Sequence, residues 1–459
     1  MDGFSSFFAI LMLCAGLFLS VRINFFQFTH LGCAIKTALG LGQKRSARSK
    51  QKFDASGVTP FQALASALGG SIGTANIAGV ASAIAIGGAG AVFYMWLAAL
   101  VGMGVKFCEI VLALRYREKR GGQWCGGAML YIEKGFRKSN TGSRFLQSVS
   151  KPLAAGFALF GLLASSVGTP LVQSNTIAMS VNDAVLLFLP KAEQKTVCII
   201  AGAATAALVG IVILGGIQRI GKASEIIVPF MAIGYIAICI IVLSRFGSRI
   251  LPAFCDIFSS ALGIKQAVGG AAGFGAARAL RIGMARGVYS NEAGVGSAPM
   301  AHACANTNDP VKQGMYGIFE VFADTIVMCT MTALVVLASG IPLQAGGEVS
   351  GTSIALRAFS TVLPERTTGI FLAVSMLLFA YTSLLGWAVY GMQCAKYLFG
   401  KRAQVPFCIL YTVLTFAGAL MKVDFVWMAG ETLNYLMAAP NMLALLVLNR
   451  EVRRETAFA

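Results

Sequence analysis

The sequence predicts an all-α polytopic membrane protein with about eleven transmembrane helices, arranged as two inverted repeats of five helices after one extra N-terminal helix. Three observations predict this fold: the composition, the number of long apolar runs, and a glycine pattern that occurs in two of those runs. The 459 residues are 57% hydrophobic and only 12% charged, and the mean hydropathy is +0.74. A soluble domain carries about 25% charged residues, so most of this chain is predicted to lie in lipid.

Runs of about 18 or more apolar residues are long enough to cross the hydrocarbon core of a bilayer as a helix. Polar and basic loops separate eleven such runs, at roughly 4–21, 60–86, 89–115, 152–180, 196–215, 222–244, 264–288, 315–340, 367–396, 404–421 and 425–449. The first run has no basic segment before it and no small-residue cleavage site after it. We therefore interpret it as a retained helix and not as a signal peptide.

Basic residues predict the orientation of these spans. If eleven spans alternate, most of the 37 Lys and Arg residues fall in loops on one side, with Arg278, Arg281 and Arg286 counted among them. Cytoplasmic loops are enriched in Lys and Arg, so the N-terminus is predicted outside and the C-terminus in the cytoplasm. The short loops favour a bacterial inner membrane. The net charge of +18 does not indicate nucleic-acid binding, because no basic face interleaved with aromatic residues is present.

A G-G-x-x-G spacing occurs in the stretches LGGSIGTAN (68–76) and VGGAAGFGA (268–276). These stretches lie in the first and the sixth of the ten spans that follow the N-terminal helix, so the two halves run in opposite directions. This pattern is typical of an inverted repeat in which a broken helix opens each half. Glycine also packs helices closely, but matched spacing at matched positions favours broken helices. The units predicted are an extra helix with a basic loop (1–59), two repeats (60–250 and 251–449) and a tail (450–459).

A helix break inside a membrane frees backbone groups, which are costly in hydrocarbon unless protein or a cavity meets them. Freed N–H groups, at the positive end of a helix dipole, suit a carboxylate, and freed carbonyls suit a cation. The backbone of Gly73, Thr74 and Ala75 is therefore predicted to bind the carboxylate of a substrate. The carbonyls of the second glycine stretch, at Gly269, Gly270 and Gly273, are predicted to bind a positively charged group.

Four blocks of sequence resemble the alanine/glycine:cation symporter family. They are TANIAGVASAIAIGGAGAVFYMWLAALVGMGVKFCEIVLALRYRE (74–118), GGAMLYIEKGF (126–136), SNEAGVGSAPMAHACA (290–305) and FAYTSLLGW (379–387). The resemblance implies the ten-helix inverted-repeat fold of sodium-coupled amino-acid transporters with an extra N-terminal helix. It also implies import of alanine or glycine, in L or D form, together with sodium. The chain departs from the family pattern at Ala75, where the family has glycine, and at Ala89 and Ala128, where it has proline.

Further substrate-site residues are expected from this resemblance and from the chemistry of the side chains. Asn76 offers an amide to the substrate or an oxygen to a cation. Gln173 lies in the middle of a span, at a family position that faces the substrate, although an interhelical hydrogen bond is the alternative. Phe274 and Trp387 are expected to act as lid and wall that exclude long side chains, with a core or lipid-facing role as the alternative.

For sodium, the fold implies carbonyls of the first broken helix, at Gly69 and Ile72, and hydroxyls of the eighth core helix, at Thr382 and Ser383. The alternative is that these hydroxyls bond back to their own helix. No cofactor besides the coupling ion and no obligate protein partner is indicated. A proton-coupled carrier remains an alternative. A channel is disfavoured because the polar residues cluster at one depth, and an enzyme because no metal-binding or nucleophile–base motif is present.

The remaining charged and sulfur-containing residues are predicted to be mainly structural. Lys106 and Glu109 are three residues apart on one helix and are expected to pair. Glu320 and Asp324 are assigned a structural role, with proton transfer or gating as the alternative. Glu292 is expected to cap or latch a gate. The eleven cysteines contain no C-x-x-C pair and are predicted to be small hydrophobic residues of membrane helices.

Overall fold

The computed structural model describes residues 2–41, 57–138, 144–263, 272–342, 351–421 and 424–457, and most of them are helical. The first part of the chain forms α1 (Asp2–Arg22), α2 (Phe26–Thr29), α3 (Leu31–Ala38), α4 (Pro60–Ser71), a 3₁₀ turn (Thr74–Asn76), α5 (Ala78–Gly87), α6 (Gly90–Tyr116), β1 (Glu118–Arg120), β2 (Gln123–Cys125), α7 (Ala128–Lys138), α8 (Arg144–Leu163), a π-helical turn (Ala164–Gly168), α9 (Thr169–Leu186), α10 (Gln194–Ile213), α11 (Gly216–Ser244) and α12 (Gly247–Ala261). The second part forms α13 (Ala272–Asn291), α14 (Ala298–His302), α15 (Pro310–Val321), a π-helical segment (Phe322–Cys329), α16 (Thr330–Ser339), α17 (Gly351–Ser360), α18 (Glu365–Phe399), a 3₁₀ turn (Lys401–Ala403), α19 (Gln404–Gly418) and α20 (Asp424–Ala457).

The structure confirms the predicted all-α multi-pass membrane fold. Within the described residues, seven helical segments are long and apolar enough to cross a membrane: Gly90–Tyr116, Arg144–Leu186, Gln194–Ile213, Gly216–Ser244, Pro310–Ser339, Glu365–Phe399 and Thr432–Ala457. The other four predicted spans correspond to α1, to α4 with α5, to α13, and to the 15-residue α19. The division into the units 1–59, 60–250, 251–449 and 450–459 stays a prediction.

The first predicted helix break is present. Thr59 caps the start of α4 through a reciprocal capping box with Gln62, and Pro60 occupies its first turn. The helix ends at Ser71, where Ile72 and Gly73 take extended backbone angles, and a short 3₁₀ turn leads into α5. We call residues 72–77 the first break.

The described residues show a second break after α13, later in the chain than the glycine stretch at 268–276. Gly273 lies within α13, which continues to Asn291, so the expectation of an interruption at Gly273 is wrong. The helix is interrupted instead at residues 292–297, which we call the second break. Gly294 and Gly296 both have φ of +83°, in the left-handed region that only glycine adopts at little cost, and α14 follows. Gly269 and Gly270 lie outside the described residues.

Three arginines lie at positions that differ from the sequence prediction. Arg278, Arg281 and Arg286 lie inside α13, before the second break, and not in a loop that follows a completed span. The apolar run was assigned to residues 264–288, whereas the interrupted unit extends to the end of α14. These arginines therefore do not support the predicted orientation, which stays a prediction.

Two glycines bring α4 and α18 into backbone contact. A Cβ atom added at Gly386 would lie 2.6 Å from Cα and 2.7 Å from N of Gly70, and 2.8 Å from the Ser66 carbonyl oxygen. Backbone atoms cannot rotate away as the end of a side chain can. The close-packing role of glycine, considered above as the alternative to a helix break, thus applies to Gly70 itself.

We expect Gly386→Ala to destabilise the protein by about 1–3 kcal/mol, because the added methyl group must push α18 away from α4. The matched control is Gly234→Ala in α11, where an added Cβ meets nothing within 4 Å. The apparent melting temperature and the monodisperse yield in detergent measure both effects. Equal values for the two variants would contradict the close contact described here.

A short parallel β-bridge joins the segments next to the two broken helices. Val58, just before α4, donates from N to the Cys304 carbonyl (3.1 Å), and Asn306 N donates to the Val58 carbonyl (2.8 Å). The guanidinium of Arg117 donates to the Ala303 carbonyl (3.0 Å) and stacks on the Trp124 ring at 4.0 Å. We refer to the Val58–Ala305 contact as the β-bridge. It ties the start of the first broken helix to the end of the second.

Candidate functional site

A cavity lies between the two breaks, α9 and α18. Five of the residues predicted from sequence line it: Gly73, Ala75, Gln173, Ser383 and Trp387. The fold brings these positions together because the first break supplies its backbone at the same place where α9 and α18 present one polar or aromatic face. The cavity is thus walled by freed backbone, an amide, a hydroxyl and an indole ring.

The first break leaves backbone donors without partners. The N–H of Gly73 donates to the side-chain oxygen of Asn76 (2.8 Å). Within the described part of the chain, no acceptor is found for the N–H groups of Thr74 or Ala75. The Thr74 hydroxyl donates to Gln173 Oε1 (3.3 Å), which places the Gln173 amide against the break. Two unpaired N–H groups beside a cavity are a ready site for an anion.

Asn76 lies behind the first break, with its amide used inside the protein. Its Nδ2 donates to Asp324 Oδ1 (2.7 Å) and to Ser290 Oγ (3.2 Å), and its side chain is fully buried. The Asp324 carboxylate also accepts from Ser290 Oγ and Thr325 Oγ1, each at 2.8 Å. Asn76 therefore shapes the break from behind and does not line the cavity.

The four residues expected to bind sodium meet where α4 ends and α18 passes. Ser383 Oγ lies 3.5 Å from the Ile72 carbonyl oxygen. The Thr382 hydroxyl donates to the Phe379 carbonyl (3.0 Å), as the back-bonding alternative predicts, but its oxygen keeps a free lone pair. In a continuous helix, the Gly69 carbonyl would accept from the N–H of Gly73. That N–H donates to Asn76 Oδ1 instead, so the Gly69 carbonyl lacks its helical partner. These are neutral oxygen atoms of the kind that hard cations prefer.

Glu292, expected from the sequence to cap or latch a gate, lines the cavity. It opens the second break with φ of +54°, and its carboxylate accepts from Trp387 Nε1 (2.8 Å) and Ser297 Oγ (2.6 Å). Both Glu292 and Trp387 line the cavity. The signal in the sequence is the run N-E-A-G-V-G, in which an acid stands beside two closely spaced glycines within an apolar span.

A buried ionic network lies next to the second break. Lys106 Nζ pairs with Glu320 Oε1 (3.2 Å), and His302 Nε2 lies 3.2 Å from Glu320 Oε2. The expected pair of Lys106 with Glu109 is therefore wrong, because Glu320 on α15 reaches the ammonium across the helix interface. Glu109 instead accepts from Gly296 N (3.1 Å) and from Asn441 Nδ2 (2.6 Å), so it anchors the second break.

Two other groups of predicted residues can be placed only in part. Gly269 and Gly270 lie outside the described residues, and only the backbone of Gly273 and Phe274, in α13, is described. In the described part of the chain, no group of three or more His, Cys, Asp or Glu residues is arranged to hold a metal ion. All eleven cysteines are free thiols, and eight of them are buried.

Comparison with known proteins agrees with this geometry. Residues 3–457 match the model of the sodium:alanine symporter family. The sodium/alanine symporter AgcS of Methanococcus maripaludis is 38% identical over 97% of this chain and 92% of its own length. The putative sodium/proton-dependent alanine carrier protein YrbD of Bacillus subtilis is 34% identical over 95% of this chain and 86% of its own length. The probable sodium/glutamine symporter GlnT of the same organism is 33% identical over 96% of this chain and 85% of its own length.

A similar fold is found in a solved structure. The crystal structure of MhsT in complex with L-phenylalanine superimposes with a TM-score of 0.50 at 14% identity, covering 86% of this chain and 97% of that one. The likeness supports the predicted helical fold class. The family model matches nearly the whole chain, and the reported relatives are matched over at least 85% of their own lengths, which decides the classification. This chain is a multi-pass membrane protein that belongs to the sodium:alanine symporter family.

Proposed function

We propose that the protein imports a small neutral amino acid, alanine or glycine in L or D form, by sodium symport through alternating access. The observation that carries the proposal is the pair of unpaired N–H groups at Thr74 and Ala75 beside the cavity. They would receive the substrate carboxylate, and no Lys or Arg is among the described residues that line the cavity. The protein would act in a bacterial inner membrane as a single chain, with the N-terminus outside and the C-terminus in the cytoplasm, and it would catalyse no chemical reaction.

The ammonium group of the substrate requires acceptors. α4 ends at Ser71, so the carbonyls of Gly70 and Ser71 lack the helical partners that Thr74 and Ala75 would supply, and both residues line the cavity. We place the ammonium at these carbonyls. The contribution expected of Gly269 and Gly270 stays a prediction, whereas Gly273 lies inside α13, where its carbonyl is used by its own helix. Gln173 and Trp387 would close the sides of the site, with Phe274 as the lid.

Sodium would bind between the Gly69 and Ile72 carbonyls and the Thr382 and Ser383 hydroxyls. A cation there would hold the end of α4 against α18, which presents Trp387 to the cavity one turn after Ser383. Ion binding would therefore complete the substrate site, and this link is the physical basis of coupling. One sodium moved with a zwitterion carries one charge, so 100 mV supplies about 2.3 kcal/mol. A tenfold sodium gradient adds about 1.4 kcal/mol, and together they support roughly 500-fold accumulation.

Uptake of labelled alanine into proteoliposomes tests the proposal. With an inward sodium gradient and an inside-negative potential, we expect saturable accumulation that stops when choline replaces sodium. Glycine and both alanine enantiomers should compete, whereas leucine and arginine should not. Accumulation that persists in choline and follows an imposed pH gradient would replace sodium by protons as the coupling ion. Linear, non-saturating flux would indicate a channel.

Ser383→Ala is expected to raise the sodium concentration for half-maximal uptake by about tenfold, equivalent to about 1.4 kcal/mol, because it removes one of the proposed oxygen ligands. Ser375→Ala is the matched control, because Ser375 is a buried serine two turns earlier on the same helix and lies outside the proposed sodium site. The measurement is the sodium activation curve at saturating alanine. A curve for Ser383→Ala that overlies that of Ser375→Ala would argue against sodium ligation by this hydroxyl.

A further inference from the structure

We infer that Glu292 is a specificity-determining positioning residue: its carboxylate fixes the indole of Trp387 in the cavity wall and so excludes amino acids with long side chains. The inference rests on the proposed function, because it concerns which substrates the same cavity admits. It assigns a role to the acid of the second break that differs from the gate latch expected from sequence.

The position of Trp387 depends on one hydrogen bond. An indole has a single donor, Nε1–H, and Trp387 is only 4% exposed, so this donor must find an acceptor inside the protein. The acceptor is Glu292 Oε1 at 2.8 Å. The ring of Tyr390 packs edge-on against the indole, with centroids 5.4 Å apart and an interplanar angle of 67°. One hydrogen bond and one ring contact thus define the two side-chain torsions of the tryptophan.

Glu292 is itself held in a fixed direction. Its N donates to the Val288 carbonyl (2.9 Å), and its carbonyl accepts from Val295 N (3.2 Å). A non-glycine residue with φ of +54° persists only where the surroundings determine its backbone. The second carboxylate oxygen accepts from Ser297 Oγ at 2.6 Å. The carboxylate therefore links the second break to α18 in a fixed orientation.

Substitutions of Glu292 distinguish a hydrogen-bonding role of its carboxylate from a role of its charge. A glutamine at this position keeps one oxygen for the indole, and its amide can donate to the Ser297 hydroxyl, which rotates to accept. Glu292→Gln should therefore keep the Trp387 wall in place, whereas Glu292→Ala removes the acceptor and frees the ring. If the carboxylate instead binds the substrate ammonium through its charge, Glu292→Gln should weaken binding of every amino acid alike.

The experiment is competition of sodium-driven labelled alanine uptake by glycine, L-alanine, L-leucine and L-methionine. For Glu292→Ala and for Trp387→Phe, we expect the ratio of half-inhibitory concentrations, leucine over glycine, to fall at least about tenfold, within the range by which a pocket discriminates extra methylene groups. Glu292→Gln should keep the wild-type ratio. The double variant Glu292→Ala with Trp387→Phe should add little to either single change, because both remove the same bond.

Trp96→Phe is the matched control. The Trp96 indole makes an equivalent bond, to Thr330 Oγ1 at 2.7 Å, and lies outside the cavity, so its loss should leave the ratio unchanged. Unchanged ratios in transport-competent Glu292→Ala or Trp387→Phe would overturn the inference, as would a uniform loss of affinity in Glu292→Gln. If Glu292→Ala does not fold, Trp387→Phe decides. If the wild-type protein shows no sodium-driven uptake, the proposed function fails. If the wild-type protein transports and the ratios stay unchanged in the variants, only the role of Glu292 fails.

Discussion

Lys106→Met is expected to lower the stability of the protein by about 3–5 kcal/mol, because it leaves buried carboxylates without their cation. The Lys106 and Glu320 side chains are at most 1% exposed, and their charged atoms lie 3.2 Å apart. Glu109 and Glu292 also act electrostatically on the same ammonium group. No solvent is available to replace the ammonium group. The loss of stability therefore comes from the uncompensated negative charge as well as from the lost ion pair.

The apparent melting temperature and the folded yield in detergent measure this effect. The double variant Lys106→Met with Glu320→Gln should recover part of the loss, since it removes the orphaned charge. Arg115→Met is the control: Arg115 pairs with Glu451 at 2.9 Å but is 39% exposed, and exposed pairs contribute at most about 1 kcal/mol. A Lys106→Met protein that melts no lower than Arg115→Met would contradict a stabilising buried pair.

Asn76→Asp is expected to reduce alanine uptake by at least about a hundredfold. The change preserves the shape of the side chain but brings a second carboxylate to the place where Asn76 Nδ2 now lies 2.7 Å from Asp324 Oδ1. Two unit charges 4 Å apart repel by about 4 kcal/mol at an effective dielectric constant of 20. The repulsion acts on the residue whose other amide atom holds Gly73 N, so it should distort the first break directly.

The matched variant is the exchanged pair, Asn76→Asp with Asp324→Asn. It restores one amide and one carboxylate in contact, and the oxygen that accepts from Gly73 N is kept. Uptake and folded yield should recover substantially relative to Asn76→Asp alone. Full activity of the single variant, or no recovery in the exchanged pair, would show that this contact does not hold the break.

The sequence was most informative where backbone requirements are strict. Apolar runs predicted the spans, and the glycine stretch at 68–76 predicted the first break, because a helix interruption in lipid needs both flexible backbone and polar neighbours. In the second stretch, Gly273 lies in a helix and Gly269 and Gly270 lie outside the described residues, whereas an interruption occurs at Gly294 and Gly296. Two glycine-rich runs lie within one span, and spacing alone does not tell a break from a close-packing surface.

The candidate site was predicted where chemistry is local to one segment. The donors of Thr74 and Ala75 follow from a break and need no knowledge of partners. The role of Glu292 and the pairing of Lys106 depend on which side chain arrives from another helix, and no sequence spacing encodes that. Asn76 shows the same limit: its type suggested a ligand, but the buried carboxylate of Asp324, almost 250 positions later, occupies its amide.

The β-bridge has a mechanical consequence. Because Val58 and Ala305 meet through main-chain atoms, a displacement of one interrupted rod is transmitted to the other unless two hydrogen bonds break. Two such bonds contribute about 1–3 kcal/mol, which is comparable to the work that 100 mV performs on one charge. The fastening thus favours joint movement of the two rod ends, because separating them costs both bonds.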